Sequence, residues 1–213
     1  MKSRPRFSDS VPNPLPDFTC GLDEAGRGAW AGPVVAAAVI LQGKRINGLD
    51  DSKKLTVQER EQLFEKIMER CIVGIGISEN ILIDSHGIKH ATHQAMQQAL
   101  FNVPVAPELL LIDGCDRFAF PVFSIDVIEG DSLFASISAA SIIAKVTRDR
   151  LMVDWEKKFP GYGFDLHKGY GTKLHQGKLA ELGVSDFHRK SYAPIASCLA
   201  ALSPVGDESV LAF

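Results

Sequence analysis

The chain contains no apolar run long enough to span a bilayer, no closely spaced pair of cysteines, few aromatic residues (8%) and no large excess of either charge. A helical span needs about 20 consecutive apolar residues, so a helical membrane protein is excluded. The N-terminal stretch MKSRPRFSDSVPNPLPDF carries early arginines but no apolar core segment, which excludes a secretory signal. Cys20, Cys71, Cys115 and Cys198 lie far apart without a C-x-x-C pair. That spacing argues against a zinc site and, without a signal, for reduced thiols and a cytoplasmic location. A formal net charge of −3 excludes a bulk polycation.

What is present is unevenly distributed. Residues 1–140 carry 13 basic and 18 acidic side chains, whereas residues 141–192 carry 10 basic and 6 acidic, with three of the six histidines. Acids that need cations, followed by a basic segment, suit a phosphodiester substrate. Apolar runs at 18–24, 33–41, 71–78, 108–113 and 121–127 read as strands. Thr56-x-x-Glu59 is a capping box opening a helix to about Arg70. Further helices are expected from about Gly87 to Phe101, from Asp131 to about Lys158, and from Thr172 to Leu182 with Gly183 behind it. The first half of the helix from Asp131 is dense in alanine and serine, which lets it lie close on a sheet. Strands first, then mixed elements, then helices alone imply an α/β fold: a mixed sheet flanked by helices, with a helical C-terminal extension. The expected divisions are a loose tail over 1–17, a core over 18–158, a helical region over 159–202 and a second tail over 203–213.

Acids stand where buried elements meet loops at three places: Asp23–Glu24, Asp113 and Asp131. Taken singly, each has an ordinary alternative as a solvated strand end, turn residue or helix cap. Together they are the oxygen-donor set that Mg²⁺ or Mn²⁺ prefers, and two such ions can clamp the attacking and leaving oxygens of a phosphodiester. Neighbours on a regular strand point to opposite faces. Asp23 and Glu24 are therefore expected to share a site only if the strand ends or bulges there, beside Gly26–Arg27–Gly28.

The segments Gly21-Leu-Asp-Glu-Ala-Gly-Arg-Gly28, Asp51-Ser-Lys-Lys-Leu55, Leu111-Ile-Asp-Gly114, Gly130-Asp131, Ala139 to Asp149, His167-Lys-Gly-Tyr170 and His188-Arg-Lys-Ser191 follow one order. In them the chain resembles the bacterial ribonuclease HII family across about residues 18–196. The resemblance implies a ribonuclease-H-like fold. It also implies endonucleolytic cleavage of RNA in RNA–DNA duplexes, including 5′ of single ribonucleotides embedded in DNA, by a monomer using two Mn²⁺ or Mg²⁺ ions. It implies that Asp23, Glu24, Asp113 and Asp131 bind the metals, that Gly26, Arg27 and Gly28 read the ribose 2′-hydroxyl through their backbone, and that Tyr170 packs against the sugar at the RNA–DNA junction. Lys53, Lys54, Lys145, Arg148, Lys168, Arg189 and Lys190 are candidates for phosphate contacts, as are His167 and His188. Departures from the family pattern are Ala29–Trp30, Gly171, Lys190 and Tyr192, where proline–leucine, proline, arginine and phenylalanine are usual. The competing expectations are a nuclease of the same fold without ribose selectivity and a non-catalytic hybrid-binding module.

Overall fold

The computed structural model describes residues 11–49 and 55–202. Asp50, Asp51, Lys53 and Lys54 lie outside the described residues, as do the first ten residues and those from 203 onward.

Five strands form one mixed sheet: β1 (Thr19–Ala25), β2 (Val34–Ile40), β3 (Ile72–Ser78), β4 (Leu109–Asp113) and β5 (Ser124–Val127), in the order β3-β2-β1-β4-β5. β1, β2 and β3 pair antiparallel, while β4 runs parallel to β1 and β5 parallel to β4. All seven residues of β2 are buried, because helices cover both faces. α2 (Asn80–Phe101) covers one face, where Cys20, Leu22, Ala36 and Ala38 meet Ala91, Ala95 and Met96. α4 (Ala135–Lys158) covers the other, packing Ala139, Ala140, Ile143 and Ala144 on Ala25, Ala37 and Val39. The small residues of α4 allow close approach: a Cβ on Gly21 of β1 would stand 2.2 Å from the Ser136 carbonyl carbon. α1 (Val57–Arg70) packs beside α4 against the same face of the sheet, and the Thr56–Glu59 capping box forms reciprocally.

Three expectations need correction. The helix expected from Gly87 begins at Asn80, and Gly87 itself, at φ 82° and ψ 159°, breaks it into two pieces. The helix expected from Asp131 is divided into α3 (Gly130–Leu133) and α4 by Phe134, which is extended at φ −127° and ψ 120°. The last strand starts at Ser124 rather than Pro121, since proline has no N–H for a ladder.

The C-terminal part holds α5 (Phe164–His167), α6 (Lys173–Leu182) and α7 (Ala193–Leu202). It is knitted into the core instead of hanging from it. Trp30 N–H donates to the Gly169 carbonyl at 2.7 Å, and Arg189 N–H donates to the Trp30 carbonyl at 2.8 Å. Phe164 and Phe187 pack with Ala31 and Met152 in a separate small core.

Candidate active site

β1 carries Asp23 and Glu24 at its C-terminal end, beside Asp113 at the C-terminal end of parallel β4. Ligands gather at this edge of a parallel pair because the strands end there and leave room. Of the two expected devices, a strand end or a bulge, it is the end that occurs. β1 stops at Ala25 directly before Gly26, and no bulge forms, since its ladder with β2 stays regular through Asp23–Ala37, Glu24–Ala36 and Ala25–Val35. On the other side, pairing with β4 stops at Leu22–Ile112. That one-sided ending opens the β4 flank of β1, so acids from both faces of the strand reach the neighbourhood of Asp113.

The electrostatics record that proximity. Burial pushes the Asp23 carboxyl well above the usual range, and the charges of Glu24 and Asp113 push it further. Hydrogen bonds from the Glu24 N–H, at 2.7 Å, and from Ser141 oppose the shift. Glu24 is also raised, chiefly by burial, with Arg27 opposing and Asp113 and Asp116 adding to it. The Asp113 carboxylate accepts the Gly130 N–H at 2.7 Å, which ties β4 to the turn that presents Asp131. Asp131 is 5% exposed. It lines a cavity of about 420 Å³ together with Glu24, Gly26, Arg27, Gly28, Lys145 and Tyr170.

Like charges this close are costly when desolvated, and a divalent cation relieves that cost with the oxygen donors it prefers. The donor chemistry therefore fits such an ion. Among the described residues, however, no three acid, histidine or cysteine side chains are arranged around one point. The cation that Glu24 meets here is Arg27, whose Nη1 sits 3.1 Å from Glu24 Oε1 and 2.6 Å from Asp116 Oδ2.

The other sequence candidates divide. Tyr170 and Lys145 lie on the cavity wall, with Lys145 Nζ 5.7 Å from the ring centroid of Tyr170 and 2.7 Å from Asp149. Lys168 turns back onto the Asp165 carbonyl. Arg148 and Arg189, expected at phosphates, are both fully buried. Arg148 donates to the carbonyls of Ala31, Pro33 and Lys168, and Arg189 to those of Arg27, Gly32 and Pro33. Their fork of N–H groups satisfies a cluster of loop carbonyls, so they brace the site from beneath and do not present a charge to a ligand. His167 and His188 are likewise buried, not phosphate-facing. His188 Nε2 lies 3.0 Å from His175 Nε2, and His175 stacks on His167 at 4.2 Å.

Four residues were given no site role by the sequence: Ser141 on Asp23, Asp116 on Arg27, Arg60 on the cavity wall, and Tyr192, which donates to the Arg27 carbonyl. Two of them had a signal: Ser141 as a member of the small-residue stretch of α4, and Tyr192 as a departure from the family pattern.

Acids gathered at the ends of β1 and β4 in a mixed five-stranded sheet with helices on both faces define a ribonuclease-H-like hydrolase. The crystal structure of ribonuclease H2 from Pyrococcus horikoshii OT3 superposes with a TM-score of 0.73 at 26% identity, covering 86% of this chain and 97% of that one. The sequence model of the family Ribonuclease HII matches residues 20–195. Curated ribonucleases HII from Geotalea uraniireducens (strain Rf4) and Chloroflexus aurantiacus (strain ATCC 29364 / DSM 637 / Y-400-fl) are 52% and 47% identical. The first alignment covers 81% of each chain, and the second 85% of this chain and 89% of the relative. The chain belongs to the ribonuclease HII family. It is a ribonuclease H, an endonuclease acting on the RNA of RNA–DNA hybrids.

Proposed function

We propose that the protein incises duplex DNA 5′ of single embedded ribonucleotides, as well as cutting longer hybrids, using two divalent ions held by Asp23, Glu24, Asp113 and Asp131. The observation that carries this reading is the mutual charge repulsion of Asp23, Glu24 and Asp113 at one open strand edge, beside a cavity that Glu24 and Asp131 line together with the Gly26–Gly28 turn and Tyr170. When bound there, two divalent ions supply the activated water and stabilise the leaving oxygen. A relative of the same fold, Bst-RNase HIII, has been crystallised in complex with Mn²⁺. The acids thus need no protein nucleophile beside them.

Selectivity falls to the turn and the tyrosine. A 2′-hydroxyl is the one group that separates RNA from DNA at a given nucleotide. Gly28 is exposed on the cavity, and a Cβ there would meet no protein atom within 4 Å, so the space is open to a closely approaching sugar. Tyr170 offers an aromatic face to the neighbouring deoxyribose, and Lys145 a cation to a phosphate. The helical region from 159 to 202 serves substrate binding by holding Tyr170 against that cavity.

Mapping the cut on a duplex with one ribonucleotide, beside an all-DNA duplex of the same sequence, tests the reading. Incision on the 5′ side of the ribonucleotide alone, abolished by chelator, is expected. Equal cutting of both duplexes would remove the ribose selectivity and leave only a general nuclease.

A further inference from the structure

We propose that Arg189 and Tyr192 are positioning residues that aim the Gly28 N–H into the cavity, and that the Tyr192 hydroxyl thereby strengthens preference for a nucleotide bearing a 2′-hydroxyl. The inference rests on the reading of residues 26–28 as the ribose-sensing turn.

The Arg27 carbonyl accepts two hydrogen bonds, from Arg189 Nη1 at 2.8 Å and from Tyr192 Oη at 2.6 Å. The same Nη1 donates to the Tyr192 oxygen at 3.0 Å, so the three groups form a closed set. Arg189 is itself immobile: it is fully buried, and its Nε and Nη2 are held by the Gly32 and Pro33 carbonyls at 3.0 and 3.1 Å. A trans peptide is planar, with C=O and N–H pointing in opposite directions. Fixing the Arg27 carbonyl on the buried side therefore sends the Gly28 N–H to the other side, where Gly28 is exposed on the cavity wall. Two donors on one carbonyl, one of them cationic, also polarise the peptide and make its N–H a stronger donor. A phenylalanine at 192 would keep the ring and lose one of those donors.

Tyr192→Phe removes only that oxygen, and Arg189→Lys removes the fork. Affinity would be measured in chelator, which prevents cutting, for a duplex with one ribonucleotide and for the matching all-DNA duplex. In Tyr192→Phe the preference for the ribonucleotide duplex is expected to fall about three- to tenfold, the worth of one hydrogen bond, with affinity for all-DNA duplex unchanged. Arg189→Lys is expected to reduce it further. An unchanged preference, or an equal loss on both duplexes, would overturn the inference. Wild-type protein without any preference would overturn the ribose-sensing reading itself and this inference with it. In the free protein the Gly28 amide resonance is expected to shift in Tyr192→Phe, and an unmoved resonance would count against the arrangement.

Discussion

The two glycines of the Gly26–Arg27–Gly28 turn are there for different reasons. Gly26 adopts φ 98°, and a Cβ on it would lie 1.9 Å from Arg148 Nε. The fold itself demands glycine at that position. Gly28 meets nothing, so only a ligand could require it. Gly26→Ala is therefore expected to lower the unfolding free energy by roughly 1–3 kcal/mol, read by urea denaturation. Gly28→Ala should leave stability near wild type while raising KM for the single-ribonucleotide duplex. Tyr170→Ala should reduce kcat/KM on that duplex about tenfold or more, the scale of a lost stacking contact, with general duplex binding much less affected; an equal loss of both would contradict its junction role. At this scale the acids were legible only as a set: each alone has an ordinary use as a strand end, turn residue or cap, whereas together they form an oxygen-donor set. Arg148 and Arg189 were not: spacing records that a residue is basic, but whether its head meets solvent or loop carbonyls depends on segments more than a hundred residues away.

Among the elements, β1 and β4 matter most to the site. Their parallel ladder ends at Leu22–Ile112 while the β1–β2 ladder runs on. A regular strand thereby delivers two adjacent acids to one place without a bulge. The sequence pointed to a strand end or bulge beside the glycines, and β1 does end at Ala25. That its ladder to β4 stops earlier was not legible, because alternation along an isolated strand says nothing about where its neighbour stops. The capping box was fully legible, since its partners are three residues apart and bond to each other: Glu59 N–H to Thr56 Oγ1 at 3.2 Å, and Thr56 N–H to Glu59 Oε2 at 2.7 Å. Thr56→Ala should cost about 1 kcal/mol of stability and leave cleavage intact, measured by denaturant unfolding alongside activity. The sequence placed a helix boundary at Gly87, and what it missed is the helical piece from Asn80 that precedes that break.

Over the whole molecule, a buried histidine cluster ties the C-terminal region together, with His175 resting against Trp30 of the core. Burial is the main cause that brings His175 and His188 each down to about 4, with the charge of His167 adding to it in both. In the unfolded chain they titrate near 6.5. Between those values the unfolded state binds protons that the native state refuses, so the cluster's contribution is present above about pH 6.5 and is lost as pH falls toward 4. The raised Asp23 and Glu24 act in the opposite direction, so a variant is needed to isolate the histidines. His188→Gln should be less stable at neutral pH yet lose stability less steeply on acidification, measured by urea midpoints from pH 7.5 to 5. A slope equal to wild type would contradict the assignment. The order of strands and helices announced the architecture, but this cluster joins positions 167, 175 and 188 through packing that no local pattern encodes.

All of these scales meet at the acids on the end of β1, whose repulsion makes sense if a cation completes the site. The most direct measurement is cleavage of a duplex with one ribonucleotide by wild-type protein and by folded Asp23→Asn, each in Mg²⁺, Mn²⁺ and chelator. Wild type should cut only with an ion present, and Asp23→Asn should be silent in all three. Cleavage in chelator, or full activity in the variant, would contradict the account.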